Sequence, residues 1–225
     1  MNEQLNESPA TVTDAETFVP TGPHEHEFRV ECKPDFAFLT VQLAAGQTLN
    51  VEAAAMATMS TNIEMKTKIG GGFARMLSGE SIFINEYTAQ GGPGEIGIAP
   101  GSPGDMTHVF MDGGERIFLQ SSAFVASGPN VDCDFKWEGC RGFFGGEGFI
   151  LMQCSGKGDL WFNTYGALIE IPVDGDYVVD TGFVVAFTSG LDYSVESVGG
   201  LKSLFFSGEG LVSRFHGQGK LWIQT

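Results

Sequence analysis

Glu80, Glu147 and Glu209 each follow a glycine, at matching places along a chain of 225 residues. Three carboxylates so placed could hold a hard cation such as calcium, which takes oxygen ligands. A simpler chemistry explains the same pairing. Each carboxylate accepts hydrogen bonds from the backbone donors of its own glycine turn, and no metal ion is expected. Glu64, Asp132 and Asp192 form a second matching set, which reads as a solvated face. The run Lys66-Thr67-Lys68-Ile69-Gly70-Gly71-Gly72-Phe73-Ala74-Arg75 is the other unusual feature. Successive glycines can turn backbone N–H groups toward an anion, and Lys66, Lys68 and Arg75 would add charge to a cradle of Gly70, Gly71 and Gly72. An anion or a phospholipid headgroup would fit it, giving a peripheral membrane contact. The other reading is a turn that docks a partner or joins two strands. It is not a P-loop, because GxxxxGK[ST] is missing.

Trp161 and Trp222 share a position that holds Gly97 earlier in the chain. Two aromatics and a gap could line a pocket, or simply fill the space between sheets. His24 and His26 alternate, as they would on one face of a strand, so a metal pair is conceivable. No third ligand is evident, and a solvated lead-in strand is the plainer reading. Cys32, Cys133, Cys140 and Cys154 lack CxxC spacing and read as reduced thiols of a cytoplasmic protein. Gly-x-Ser-x-Gly is absent, and the four histidines are scattered. The expectation is a protein with no enzymatic activity and no cofactor.

These residues need elements to hold them, and composition says which. Gly 32 and Phe 19 stand between short runs rich in Ile, Val and Phe, which is strand composition broken by tight turns. The net charge of -16 argues against a nucleic-acid partner. No apolar run reaches the length of a membrane span, and the first residues lack the features of a secretory leader.

The strands come in a repeating order. Gly46, Gly114 and Gly175 are followed three positions on by Leu49, Ile117 and Val178, and ten on by Met56, Phe124 and Val185. The glycine–glutamate step then recurs, and a second glycine pair leads into Glu95-Ile96-Gly97-Ile98, Asp159-Leu160-Trp161-Phe162 and Lys220-Leu221-Trp222-Ile223. From Gly79 to Gly146 is 67 residues, and from Gly146 to Gly208 is 62. Two independent anchors with one period indicate a triplication. The expected organisation is a disordered acidic tail over 1–22 and three β repeats, 23–104, 105–166 and 167–225. Each would hold short strands and two glycine turns, and all three would pack about a pseudo-threefold axis. Ala53–Ala57 is read as strand.

The run MSTNIEMKTKIGGGFARMLSGESIFINEYTAQ, with GFFGGEGFILMQCSGKGDLWF and LFFSGEGLVSRFHGQGKLWIQT, resembles the altered-inheritance-of-mitochondria family over roughly Phe28 to Thr225. The resemblance implies an all-β fold of three units similar to subunits of the tryptophan-attenuation (TRAP) protein, of double-stranded β-helix type. It implies an assembly or scaffold group, whose fungal members are tied to mitochondrial inner-membrane organisation and whose bacterial members lack an assigned activity. The acidic tail has no counterpart in that motif. Two functions follow: a non-catalytic, scaffold-like homo-oligomer that engages a protein partner, or a small-ligand or anion-binding module with its site between the repeats.

Overall fold

The structure, a computed structural model, describes residues 16–69, 83–134, 151–197 and 211–225. Glu80, Glu147, Glu209, Gly70, Gly71, Gly72, Arg75 and Cys140 lie outside the described residues, as does the expected tail up to residue 15.

The described chain is all-β, with two 3-10 turns and antiparallel ladders gathered into a 5-stranded and a 12-stranded sheet. The first third supplies β1 (Glu16–Phe18), β2 (Glu27–Lys33), β3 (Phe38–Leu43), β4 (Thr48–Glu52), β5 (Met56–Met59), β6 (Ile63–Ile69), β7 (Phe83–Ala89) and β8 (Gly94–Ile98). The middle supplies β9 (Met106–Asp112), β10 (Ile117–Gln120), β11 (Phe124–Ser127), β12 (Val131–Asp134) and β13 (Leu151–Asn163). The last part supplies β14 (Leu168–Asp180), β15 (Val184–Thr188), β16 (Leu191–Ser197) and β17 (Leu211–Gln224).

One irregularity of register occurs three times. Met56 faces Ile98 and Thr58 faces Gly97, with a break between them. Phe124 faces Phe162 and Ala126 faces Trp161 with the same break, and Val184 faces Ile223 and Ala186 faces Trp222 with it again. A bulge of this kind bends its strand and fixes the pairing beyond it. The third match falls on Val184, one residue before the Val185 expected from glycine spacing, so the shorter spacing of the last third arises upstream of β15.

Several expectations are corrected. Glu16–Phe18 is a strand on β2, not disordered tail, because Phe18 packs on Phe28 at 6.4 Å and Lys33 lies over its ring. Ala53 and Ala54 form a turn, with Ala54 at φ 69, and the strand resumes only at Met56. The second glycine pair makes a turn only between β7 and β8. In β13 and β17 the chain runs on as single strands of 13 and 14 residues, and Gly156 and Gly217 sit inside them at φ 110 and 124. Glycine serves there because those backbones lie where a side chain would strike the carbonyls of Asn130 and Gly190.

The apolar side chains of these strands form three buried clusters in chain order. The first joins Leu39, Leu43, Leu49 and Ile96 to Trp161. The second joins Leu119, Phe124 and Phe162 to Trp222. The third holds Val184, Phe187, Phe215 and Leu221. Trp161 and Trp222 therefore each belong to the core of the preceding segment, and large aromatics carry much of the area removed from water.

Candidate functional site

Asp159 is wholly buried on β13, and it is the centre of the only such charged constellation among the described residues. The residues just before β2 cross over it. The backbone N–H groups of Glu25 and His26 donate to its Oδ2 at 3.0 and 2.9 Å, and His26 Nδ1 meets the same oxygen at 2.9 Å. His108 on β9, directly opposite Trp161 in the ladder, places Nε2 2.9 Å from Oδ1. His26 Nε2 lies 3.0 Å from the carbonyl of Thr48, and Gln47 Nε2 donates to the carbonyl of Glu25. Phe28, His108 and Trp161 close the surroundings, Phe28 edge-on to Trp161 at 5.1 Å and 4.5 Å from His108.

Burial by itself would raise the Asp159 carboxyl. The hydrogen bonds from the His108 ring, the His26 ring and the His26 backbone outweigh that cost, and they hold it well below the usual carboxylate range. Both nitrogens of the His26 ring face acceptors, the Asp159 carboxylate and the Thr48 carbonyl. The result is a buried, hydrogen-bonded His–Asp pair.

Glu25 is seated in a notch beside this pair. A side chain on Gly128 or Gly158 would meet its Oε2 at 2.5 or 2.6 Å, so two glycines make the room. Oε2 is buried with no hydrogen-bond partner among the described residues. Glu25, His26 and Asp159 bring ligand atoms within 4.8 Å of one another. Yet Asp159 Oδ2 already accepts three hydrogen bonds and both His26 nitrogens are engaged, so a metal ion would have to displace them. The arrangement ties one part of the chain to another; it has no open face for a substrate.

The expected site residues fall elsewhere. Trp161 and Trp222 are 0% and 1% exposed and sit in buried clusters; they are core. Gly97, their counterpart, is small because the Phe38 ring already fills the place of a side chain, 2.7 Å from where a Cβ would lie. Lys66 is exposed on β6 and pairs with Glu64 at 3.6 Å. Lys68 lies on the same strand, opposite Ile84. His24 and His26 do not share a face: His24 reaches the carbonyl of Gly22 outside, while His26 is buried. Cys133 and Cys154 face each other across β12 and β13 with sulfurs 3.4 Å apart. The hydrogen bond from Cys133, then burial, push the Cys154 thiol well up. A small cavity of about 80 Å³ is lined by Ser102, Gln120, Ser122, Asn163, Thr164 and Gln224 among others. Its size and neutral lining suit ordered water better than a metabolite, whose pockets run to roughly 300 Å³ or more.

The family described as Mitochondrial biogenesis AIM24 matches residues 28–225. The chain belongs to this family. An uncharacterized protein of Streptococcus pyogenes serotype M6 is 28% identical over 213 residues, covering 88% of this chain and 85% of its own length. A crystal structure of a Streptococcus pyogenes protein superposes with a TM-score of 0.76 at 27% identity, covering 89% of this chain and 94% of the other. In this AIM24 chain the buried pair was hidden from sequence reasoning. His26 and Asp159 are 133 positions apart, and neither sits in a recognisable spacing. The available signal was weak: a single Asp among the three strands that carry Glu95, Asp159 and Lys220.

Proposed function

We propose that the protein is a non-catalytic assembly protein of three β units, 23–104, 105–166 and 167–225, related by a pseudo-threefold repeat and akin to TRAP subunits. The observation that carries this reading is the unit-to-unit ladder. β4 of the first unit pairs with β11 of the second, Val51 facing Ala126. β10 of the second pairs with β15 of the third, Leu119 facing Ala186. By the shared bulge, Ala126 and Ala186 are the same position, so one edge contact is used twice. The recurrence of the bulge supports the triplication, and the wholly committed hydrogen bonds of Asp159 support a structural role for the buried charge cluster around it.

The protein acts in the cytoplasm as a homo-oligomer that presents its surface to a protein partner. No helix among the described residues is long and apolar enough to cross a membrane, and the net charge of -16 is unfavourable for nucleic acid. An anion-binding role draws less support, since Lys66 already has a carboxylate beside it. Native mass spectrometry tests the choice. A defined oligomer with the mass of bare chains supports assembly. An excess mass lost on denaturation favours the ligand-binding module, and a monomer at every concentration overturns assembly.

A further inference from the structure

The ladder that joins the units is used twice within the chain, and among the described residues it is left open at both ends. In each internal junction the strand just before the bulged strand of one unit meets the bulged strand of the next. The counterparts at the ends are β5, the bulged strand of the first unit, and the Tyr177–Asp180 half of β14 in the third. Among the described residues β5 pairs only with β8, β14 pairs only with β17, and these two edges do not pair with each other.

Burial follows the same division. All residues of β11 and β15 are buried, whereas β5 has Ala57, Thr58 and Met59 exposed, Met59 at 43%. On the other side, Leu49 and Ile117 are 0% and 3% exposed where their counterpart Tyr177 is 40%, and Asn50 is 8% exposed where Val178 is 47%, while Val179, the counterpart of Val51 and Leu119, stays buried. Phe183, in the 3-10 turn after β14, is 48% exposed where its counterpart Ala123 is 6%. An unpaired edge flanked by apolar side chains is a template for another strand.

We propose that the β5 edge of one copy adds to the Tyr177–Asp180 edge of a second copy, in the register of the two internal junctions. This rests on the assembly reading above and names its surface. Val51 facing Ala126, and Leu119 facing Ala186, place Val179 of one copy opposite Thr58 of the next. Asn50 facing Ser127, and Phe118 facing Phe187, place Val178 opposite Met59. Because the two edges are different, the contact is head-to-tail and generates a ring or an open filament rather than a two-fold dimer. The second copy is the favoured occupant because each edge already has its complement, in a tested register, within the same sequence.

The experiment has two parts, both on the full chain. Met59→Cys and Val178→Cys proteins are prepared separately, and oxidised alone and as a mixture, with unsubstituted protein as the control for the native thiols. The expected result is a disulfide-linked heterodimer formed several-fold more in the mixture than in either protein alone. In parallel, native mass spectrometry follows Val178→Lys and Met59→Lys, whose exposed positions leave the fold intact, as thermal unfolding checks. The expected result is loss of the oligomer to monomer in both. An oligomer that survives both lysine substitutions, with no mixture-specific heterodimer, overturns this surface while leaving assembly standing. Unsubstituted protein that is monomeric at every concentration overturns the assembly reading itself.

Discussion

Glu95, Asp159 and Lys220 each stand two residues before the one that follows a register break, Gly97, Trp161 and Trp222, and the second and third of these answer the same demand in opposite ways. Around Trp161 the acid is on β13 and the base, His108, is on the neighbouring β9. Around Trp222 the base is on β17 and the acid, Glu170, is on β14, at the register position of His108. Asp159 is 0% exposed and holds four contacts, whereas Lys220 and Glu170 are 56% and 44% exposed and meet at 2.9 Å. The swap has a cost on one side only. Glu170 accepts the indole N–H of Trp222 at 2.9 Å, while Trp161 Nε1 has no partner among the described residues, where His108 turns to Asp159 instead. Burial, not the identity of the pair, separates the two junctions. Residues 24–27 lie across the first and make it dry. Charges in dry surroundings interact strongly and tolerate no missing partner.

The largest effect expected from that difference is at Asp159. Asp159→Asn keeps the shape but removes the buried carboxylate on which the His26 and His108 rings and two backbone N–H groups converge, and should cost about 3 kcal/mol, read by urea unfolding at pH 7. A loss no larger than that of a surface charge removal would break the comparison. The pH profile sharpens it. The folded-state pKa of Asp159 is depressed, so its contribution is present above the ordinary carboxylate range and is lost as pH falls below about 4. The acid limb of the stability curve should therefore flatten in Asp159→Asn relative to the unsubstituted protein.

How much of this could be read from residues alone differs between fold and site. Strand composition and glycine spacing indicate an all-β chain, and they align Gly97, Trp161 and Trp222, each of which faces the residue just past a register break in its partner strand. Local pattern is enough for that, because a side-chain period of two and a repeated glycine are short-range facts. Two things were not local. The glycines of Gly156-Lys157-Gly158 look like a turn, but they lie inside one strand that serves two sheets, a role set by its neighbours β10, β11 and β9. His26 and Asp159 meet only because the lead-in to β2 crosses a strand more than a hundred residues away. No spacing rule carries that information.

A second acid at the first junction shows what a missing partner does. Glu52 ends β4, the strand that pairs with β11, and no side-chain partner meets it among the described residues. Burial raises its pKa from the ordinary 4.5 to about 7. The sign is opposite to that of Asp159. A raised carboxyl favours folding below its unfolded pKa, and that advantage fades as pH rises toward 7. Because the group is only partly buried, the effect is discounted to about 1 kcal/mol. Glu52→Gln should stabilise the protein by that amount at pH 8 and change little at pH 5, as measured by denaturant titration at both values. Equal effects at the two pH values would count against burial as the cause.

The smallest effect is the one that calibrates the rest. Lys220→Met removes the ion pair with Glu170 while keeping an aliphatic stem over the sheet. Both charges are about half exposed, and such pairs contribute roughly 0–1 kcal/mol. Glu170 keeps its hydrogen bond from Trp222, so no buried group is orphaned by the change. The expected shift in unfolding free energy is under about 0.5 kcal/mol, and most of it should vanish in 0.5 M salt, where screening is short-ranged. If Lys220→Met instead costs as much as Asp159→Asn, then exposure does not set the difference between the junctions. The strand position itself would then carry the energy, and the lead-in segment would be a cover rather than the reason the first junction holds.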